Sequence, residues 1–178
     1  MKKGALAIRY AQALFDAATE HQATAEIYNE LNILSSELET NPGFRQLIMD
    51  RSIGAQHKKD FIDSTLGKHI SPLTRYFLYI IFDKNREYLI QEATAAFNDL
   101  WQDQQGILPA QLVTAKSINA ETEGQLVAAL KKAFAKEVVF EYAEDPSLLG
   151  GAIVNIGDLT IDGSLKGRLR HMREELTK

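Results

Sequence analysis

Apolar residues recur at helical spacing through the first hundred positions. Ala7, Ala11, Leu14 and Ala18 mark the first stripe, and the chain is nearly free of Gly and Pro up to position 41. A weaker break at His21 to Ala23 predicts two antiparallel helices, roughly 5–20 and 24–39. Asn41-Pro42 reads as an N-cap followed by proline at the first helical position, opening a short helix through Met49. Gly54 and Gly67 bracket a fourth helix, and Ser71-Pro72 repeats the cap-plus-proline signal to open a fifth. A sixth is predicted from Arg86 to about Gln104, carrying Leu89, Ala93, Ala96, Phe97 and Leu100. Six helices with short connections predict a compact bundle.

The period changes at Gly106. Leu108 to Val113 reads as a short strand interrupted by Pro109, and Asn119 caps a helix expected to run to about Lys136. Val138 to Tyr142 reads as a strand, Asp145-Pro146 as a turn, and Ala152 to Ile156 with Leu159 to Ile161 as a hairpin closed at Gly157-Asp158. Ser164 follows as the cap of a final helix. The predicted fold class is two domains: an all-α six-helix bundle over 1–105, then a small α+β domain over 106–178.

Composition changes this picture little. The 178 residues are 45% hydrophobic and 25% charged, as in an average soluble protein. The longest apolar run, Tyr76 to Phe82, falls far short of the roughly 20 residues that cross a bilayer. The net charge of −4 divides as −3 and −1 between the two parts, which argues against general nucleic-acid binding. Cysteine is absent, so there is no disulfide framework, thiolate metal site or cysteine nucleophile. Met1-Lys2-Lys3 and the alanines after it do not make a secretory signal, and a cytosolic address is expected.

Candidate chemistry is thin. Gly150-Gly151 resembles a phosphate loop only superficially, because the Lys-Ser or Lys-Thr and the helix that such a loop needs are replaced by an apolar strand. A turn or bulge needing positive φ explains the pair better. Asp145, Asp158 and Asp162 lack the alternating spacing of a calcium loop, and each sits beside Pro or Gly, where turn chemistry accounts for it. His21, His57, His69 and His171 have no second ligand at i+3 or i+4. Ser71, Ser117 and Ser164 fall at predicted caps. No catalytic site, metal site or cofactor is expected.

Two surfaces are over-supplied with apolar groups. The fifth helix has seven consecutive apolar residues, Tyr76 to Phe82, where a surface helix needs a single stripe. Either its siblings bury it on all sides or one face is left for a partner. On the first helix, Tyr10, Ala13 and Ala17 form a second stripe of mostly small residues, a shallow groove that suits an amphipathic helix. The final helix carries Leu165, Leu169, Met172 and Leu176 on one face, flanked by Lys166, Arg168, Arg170 and Arg173. That face suits packing on the local sheet, and the basic flank suits an acidic partner helix or, less well, an anionic lipid surface.

Two segments together resemble the delta subunit of bacterial F-type ATP synthase, called OSCP in mitochondria. They are Arg9-Tyr10-Ala11-x-Ala13-Leu14-Phe15 and the run Asp145-Pro-Ser-Leu-Leu-Gly-Gly-Ala-Ile-Val-Asn-Ile-Gly-Asp-Leu-Thr-Ile-Asp-Gly-Ser-Leu-Lys-Gly-Arg-Leu169. Their spacing lets the resemblance cover the whole chain. One departure is Ser52-Ile53-Gly54-Ala55, where the family often carries a proline.

The resemblance implies a non-catalytic stator subunit, one copy per complex, peripheral at the cytoplasmic face of the bacterial plasma membrane. It implies that the helical bundle sits on the catalytic head and holds the N-terminal helix of an alpha subunit between its first and fifth helices. Tyr10, Ala13, Ile27, Tyr76 and Ile80 are the contacts it implies. It places the C-terminal domain on the b-subunit peripheral stalk, with Leu169, Met172 and Arg173 as contacts. The alternatives are a helical adaptor unrelated to ATP synthase and a small hydrolase using the Gly150-Gly151 turn.

Overall fold

The computed structural model describes residues 4–67, 69–116, 118–157 and 159–176. The chain divides into two compact units, Met1–Trp101 and Gln102–Lys178. The first is helical and the second is a small α+β fold, in agreement with the expected fold class at that level.

The helices are α1 (Ala5–Glu20), α2 (Thr24–Thr40), α3 (Pro42–Met49), α4 (Ala55–Thr65), α5 (Pro72–Asp83) and α6 (Ile90–Gln104). Two of the predicted starts are made as the sequence requires. The Asn41 Oδ1 accepts from the Phe44 N–H at 3.1 Å, and the Ser71 Oγ accepts from the Thr74 N–H at 3.4 Å, with Pro42 and Pro72 opening the respective helices. The expected α1 stripe, Ala7, Ala11, Leu14 and Ala18, is buried. It meets Ile27, Leu31, Leu34 and Leu38 of α2, Phe77, Ile81 and Phe82 of α5, and Ile90, Ala93 and Phe97 of α6 in one core. Phe15 packs edge-on against Phe97 with centroids 5.4 Å apart, and Tyr28 stacks on Trp101 at 4.1 Å.

The sixth helix departs from the expected start at Arg86. Asn85 takes a positive φ of 51°, Glu87–Leu89 form a 3-10 turn, and the α-helix begins only at Ile90. The turn carries the buried Glu87 side chain to Lys58 of α4, a pairing invisible in local sequence.

The second unit contains β1 (Ile107–Thr114), α7 (Ala120–Phe134), β2 (Glu137–Glu144), β3 (Ala152–Ile156), β4 (Leu159–Asp162) and α8 (Leu165–Leu176). The sheet order is β2-β1-β3-β4: β1 and β2 are parallel, with α7 as the crossover, and the other pairings are antiparallel. Pro109 does not interrupt β1, because β3 pairs only with Gln111 to Thr114 and leaves that stretch free of a second neighbour. Asn119 caps α7 by accepting from the Thr122 N–H at 2.9 Å. α7 ends at Phe134 rather than about Lys136, because Ala135 takes the left-handed conformation at φ 53°. Ala110, Leu112, Leu130, Val138, Val154 and Ile156 form the core between α7 and the sheet. On the opposite face, Asn155 donates to Gln111 at 3.1 Å and accepts from Thr160 at 2.9 Å, a polar ladder suited to water. The β3–β4 hairpin turns through Gly157 at φ 55°; Asp158, like Ser117, lies outside the described residues.

Candidate functional site

On α1, the stripe beside the buried one consists of Leu6, Tyr10, Ala13 and Ala17, spaced four, three and four residues apart. α5 buries Thr74, Phe77, Leu78, Ile81 and Phe82, so its neighbouring face presents Leu73, Tyr76 and Ile80. The two faces enclose a groove of about 470 Å³, with Arg9 at its rim. Tyr76 remains 64% exposed and Ile80 51% exposed. Of the two readings of the seven-residue apolar run, the structure therefore supports the second: one face is buried and another is left open. Ala13 and Ala17 keep the α1 wall low, and a bulky side chain at either position would fill the groove.

Polar anchors hold α5 in place around this opening. The Glu30 carboxylate of α2, itself buried, accepts from the Ser71 N–H at 2.6 Å and the Ser71 hydroxyl at 2.8 Å, and also from the Thr74 hydroxyl. A negative group with these donors at a helix N-terminus satisfies hydroxyls and backbone together and favours the helix dipole. Beyond the other end of α5, Arg86 donates to the Tyr10 hydroxyl at 2.7 Å, with its guanidinium carbon 5.8 Å from the ring centroid. Along the side of α5, Lys59 pairs with Asp83 at 2.7 Å, and the Tyr79 hydroxyl donates to Asp63 at 2.5 Å. Desolvation, and then the bond to Asp63, hold the Tyr79 hydroxyl above its ordinary pKa.

Of the five expected groove residues, Tyr10, Ala13, Tyr76 and Ile80 line one opening. Ile27 does not. It is fully buried in the α1–α2 part of the core, because its place on α2 puts it on the inward stripe with Leu31, Leu34 and Leu38. Leu6, Leu14, Leu73 and Phe77 line the groove as well, beyond the expected contacts. The stripe spacing on α1 points to Leu6 and the open face of α5 to Leu73, whereas Phe77 belongs to the buried side of α5 and only the packing brings it to the groove floor.

In the second unit, Leu165, Leu169 and Met172 are 49%, 57% and 58% exposed, so α8 leaves this apolar face uncovered rather than packing it on the sheet. The Arg173 side chain lies outside the described residues. Leu159 and Ile161 of β4 pair with Ile156 and Val154, share their face of the sheet and are still largely exposed at its edge.

Asp145, Asp162 and the Gly150-Gly151 pair have structural partners. Asp145 accepts from the Ser147 N–H at 2.9 Å and hydroxyl at 3.0 Å, which hold its carboxyl below the usual range. Asp162 accepts from the Ser164 N–H at 2.9 Å, and Ser164 caps α8 by accepting from the Gly167 N–H at 3.0 Å. The positive φ belongs to Leu149 (62°) and Gly151 (75°). A Cβ on Gly151 would stand 2.4 Å from the Gly163 carbonyl oxygen, and one on Gly150 2.8 Å from Leu165 Cδ1. The glycine pair admits the start of α8 at close range. Among the described residues, no three His, Asp or Glu side chains are grouped so as to hold a metal ion, and no helix is long and apolar enough to cross a membrane.

An open apolar groove on a helical unit and an uncovered apolar helix face on an α+β unit define an interaction protein. The family described as ATP synthase delta (OSCP) subunit matches residues 6–176, and the chain belongs to it. "ATP synthase subunit delta" of Alkaliphilus oremlandii is 35% identical over 96% of this chain and 94% of its own length. That of Symbiobacterium thermophilum is 34% identical over 99% and 95%. The fold is shared with a chain in the Toxoplasma gondii mitochondrial ATP synthase hexamer, with a TM-score of 0.77, 20% identity and coverage of 98% of this chain and 99% of that one. The protein is thus a structural, stator subunit of F-type ATP synthase.

Proposed function

We propose that the α1–α5 groove binds the N-terminal helix of an alpha subunit, and that α1 to α6 act as one six-helix bundle seated on the catalytic head. The observation that carries this reading is the pair Tyr76 and Ile80, exposed on a helix whose start is held by Glu30, whose end is held by the Lys59–Asp83 pair and whose flank is held by the Tyr79–Asp63 bond. A rigid groove with a low alanine wall matches an amphipathic helix laid in by its apolar face, and such contacts bear load without turnover.

The α+β part, from residue 106 on, joins the b-subunit stalk through the uncovered α8 face, with Leu169, Met172 and Arg173 as contacts. The subunit then holds the head still against rotor torque. It has no active site of its own and resides, one copy per complex, at the cytoplasmic face of the bacterial plasma membrane. Detergent extraction of membranes carrying a tagged copy tests the whole reading. Alpha, beta and b chains are expected to co-purify in fixed ratio; recovery of the tagged chain without them refutes it.

A further inference from the structure

Among the described residues, Arg9 is the one charged side chain lining the α1–α5 groove. It is exposed, and no carboxylate of the described residues pairs with it. Its neighbours are treated differently. Arg86 is taken up by the Tyr10 hydroxyl and ring, and on α1 Asp16 accepts from Gln12 at 2.7 Å. The groove therefore offers a partner helix an apolar bed with one unengaged guanidinium at its edge.

A docked helix would cover part of Arg9 and strip water from it. That desolvation costs binding energy unless the incoming helix supplies a counter-charge, and a guanidinium pairs best with a carboxylate in bidentate geometry. The apolar bed itself is permissive, because leucine-like contacts tolerate a shift of one helical turn, whereas a single charge pair does not. From this we infer that Arg9 is the residue that selects and registers the occupant: an amphipathic helix with an Asp or Glu flanking its apolar stripe. The inference rests on the groove being the docking site proposed above.

The test uses the full chain and a synthetic peptide of the cognate alpha N-terminal segment, titrated by calorimetry at low and high salt. Like charges brought together at a docked surface repel, so Arg9→Glu is expected to weaken binding by about tenfold or more. Arg9→Met should weaken it only a few fold and flatten the salt dependence. Replacing the peptide's acidic residues with Lys one at a time should identify one swap that restores Arg9→Glu and harms the wild type. Wild-type affinity and salt response in Arg9→Glu, or failure of every swap to restore it, overturns the assignment. Ile80→Asp is measured in parallel. Its loss of binding beside an indifferent Arg9→Glu leaves the groove standing without its selector, while retained binding in Ile80→Asp overturns the groove itself. Circular dichroism confirms that each variant is folded, as expected for exposed positions.

Discussion

The Lys58 ammonium stands 2.5 Å from a Glu87 carboxylate oxygen, and neither side chain is more than 5% exposed. The pair joins α4 to the 3-10 turn between α5 and α6, so it closes the helical unit behind the helix that forms the groove. Each charge is tolerable in that setting only because the other is there.

Removing one partner strands the other. Lys58→Met alone is expected to cost about 3–5 kcal/mol, the usual range for an uncompensated buried charge. The double variant Lys58→Met/Glu87→Leu should recover most of the loss, since an apolar pair of similar volume avoids the desolvation penalty. Urea unfolding of the four-protein cycle checks this. A double variant no more stable than Lys58→Met contradicts it.

Glu30 gathers three donors at the start of α5. Glu30→Ala leaves the Ser71 and Thr74 groups without their acceptor, at about 1–3 kcal/mol for each one left dry. Thermal unfolding should fall accordingly. Glu30→Gln, which keeps an acceptor but loses the charge, should lie between the two.

Tyr79 supplies a pH signature. Its hydroxyl is shifted above the ordinary value of 10.0 by burial first and by its bond to Asp63 second. A group whose folded pKa is raised contributes its stability fully below the unfolded value and loses it as the pH climbs through the folded one. Stability from this bond is therefore present below pH 10 and fades in the alkaline range above it. Tyrosine ring NMR should show Tyr79 ionising late and Asp63→Asn moving it back. Tyr142, raised chiefly by its bond to Glu123, should not respond to that substitution.

For the second unit, Leu169→Asp and Met172→Asp alter exposed side chains and should leave the fold intact. Both are expected to reduce capture of the b subunit in a pull-down while the affinity for an alpha peptide stays unchanged. Undiminished b capture would move the stalk contact off α8.

Much of this fold can be read locally. Asn41-Pro42 and Ser71-Pro72 announce two helix starts because cap and proline act within one turn, and the α1 stripes follow from spacing alone. What escapes the sequence depends on distant partners or on strained backbone. Glu30 reads as an ordinary polar position until Ser71 and Thr74 come to it across 41 and 44 residues. The delayed start of α6 follows from Asn85 in the left-handed region and from Glu87 turning inward to Lys58. Gly151 takes the positive φ that the glycine pair predicts, and Leu149, which nothing in the local sequence marks, takes another. Ile27 shows the limit of carrying a contact over by family resemblance. Its position is apolar for the core, as its 4-3-4 spacing with Leu31, Leu34 and Leu38 indicates.

Calorimetric titration of the full chain with the alpha N-terminal peptide decides whether the groove between α1 and α5 holds that helix. One peptide per chain is expected for the wild type. For Ala13→Asp and for Ile80→Asp a loss of about tenfold or more in affinity is expected, with unfolding temperatures unchanged. Wild-type affinity in both folded variants would contradict it.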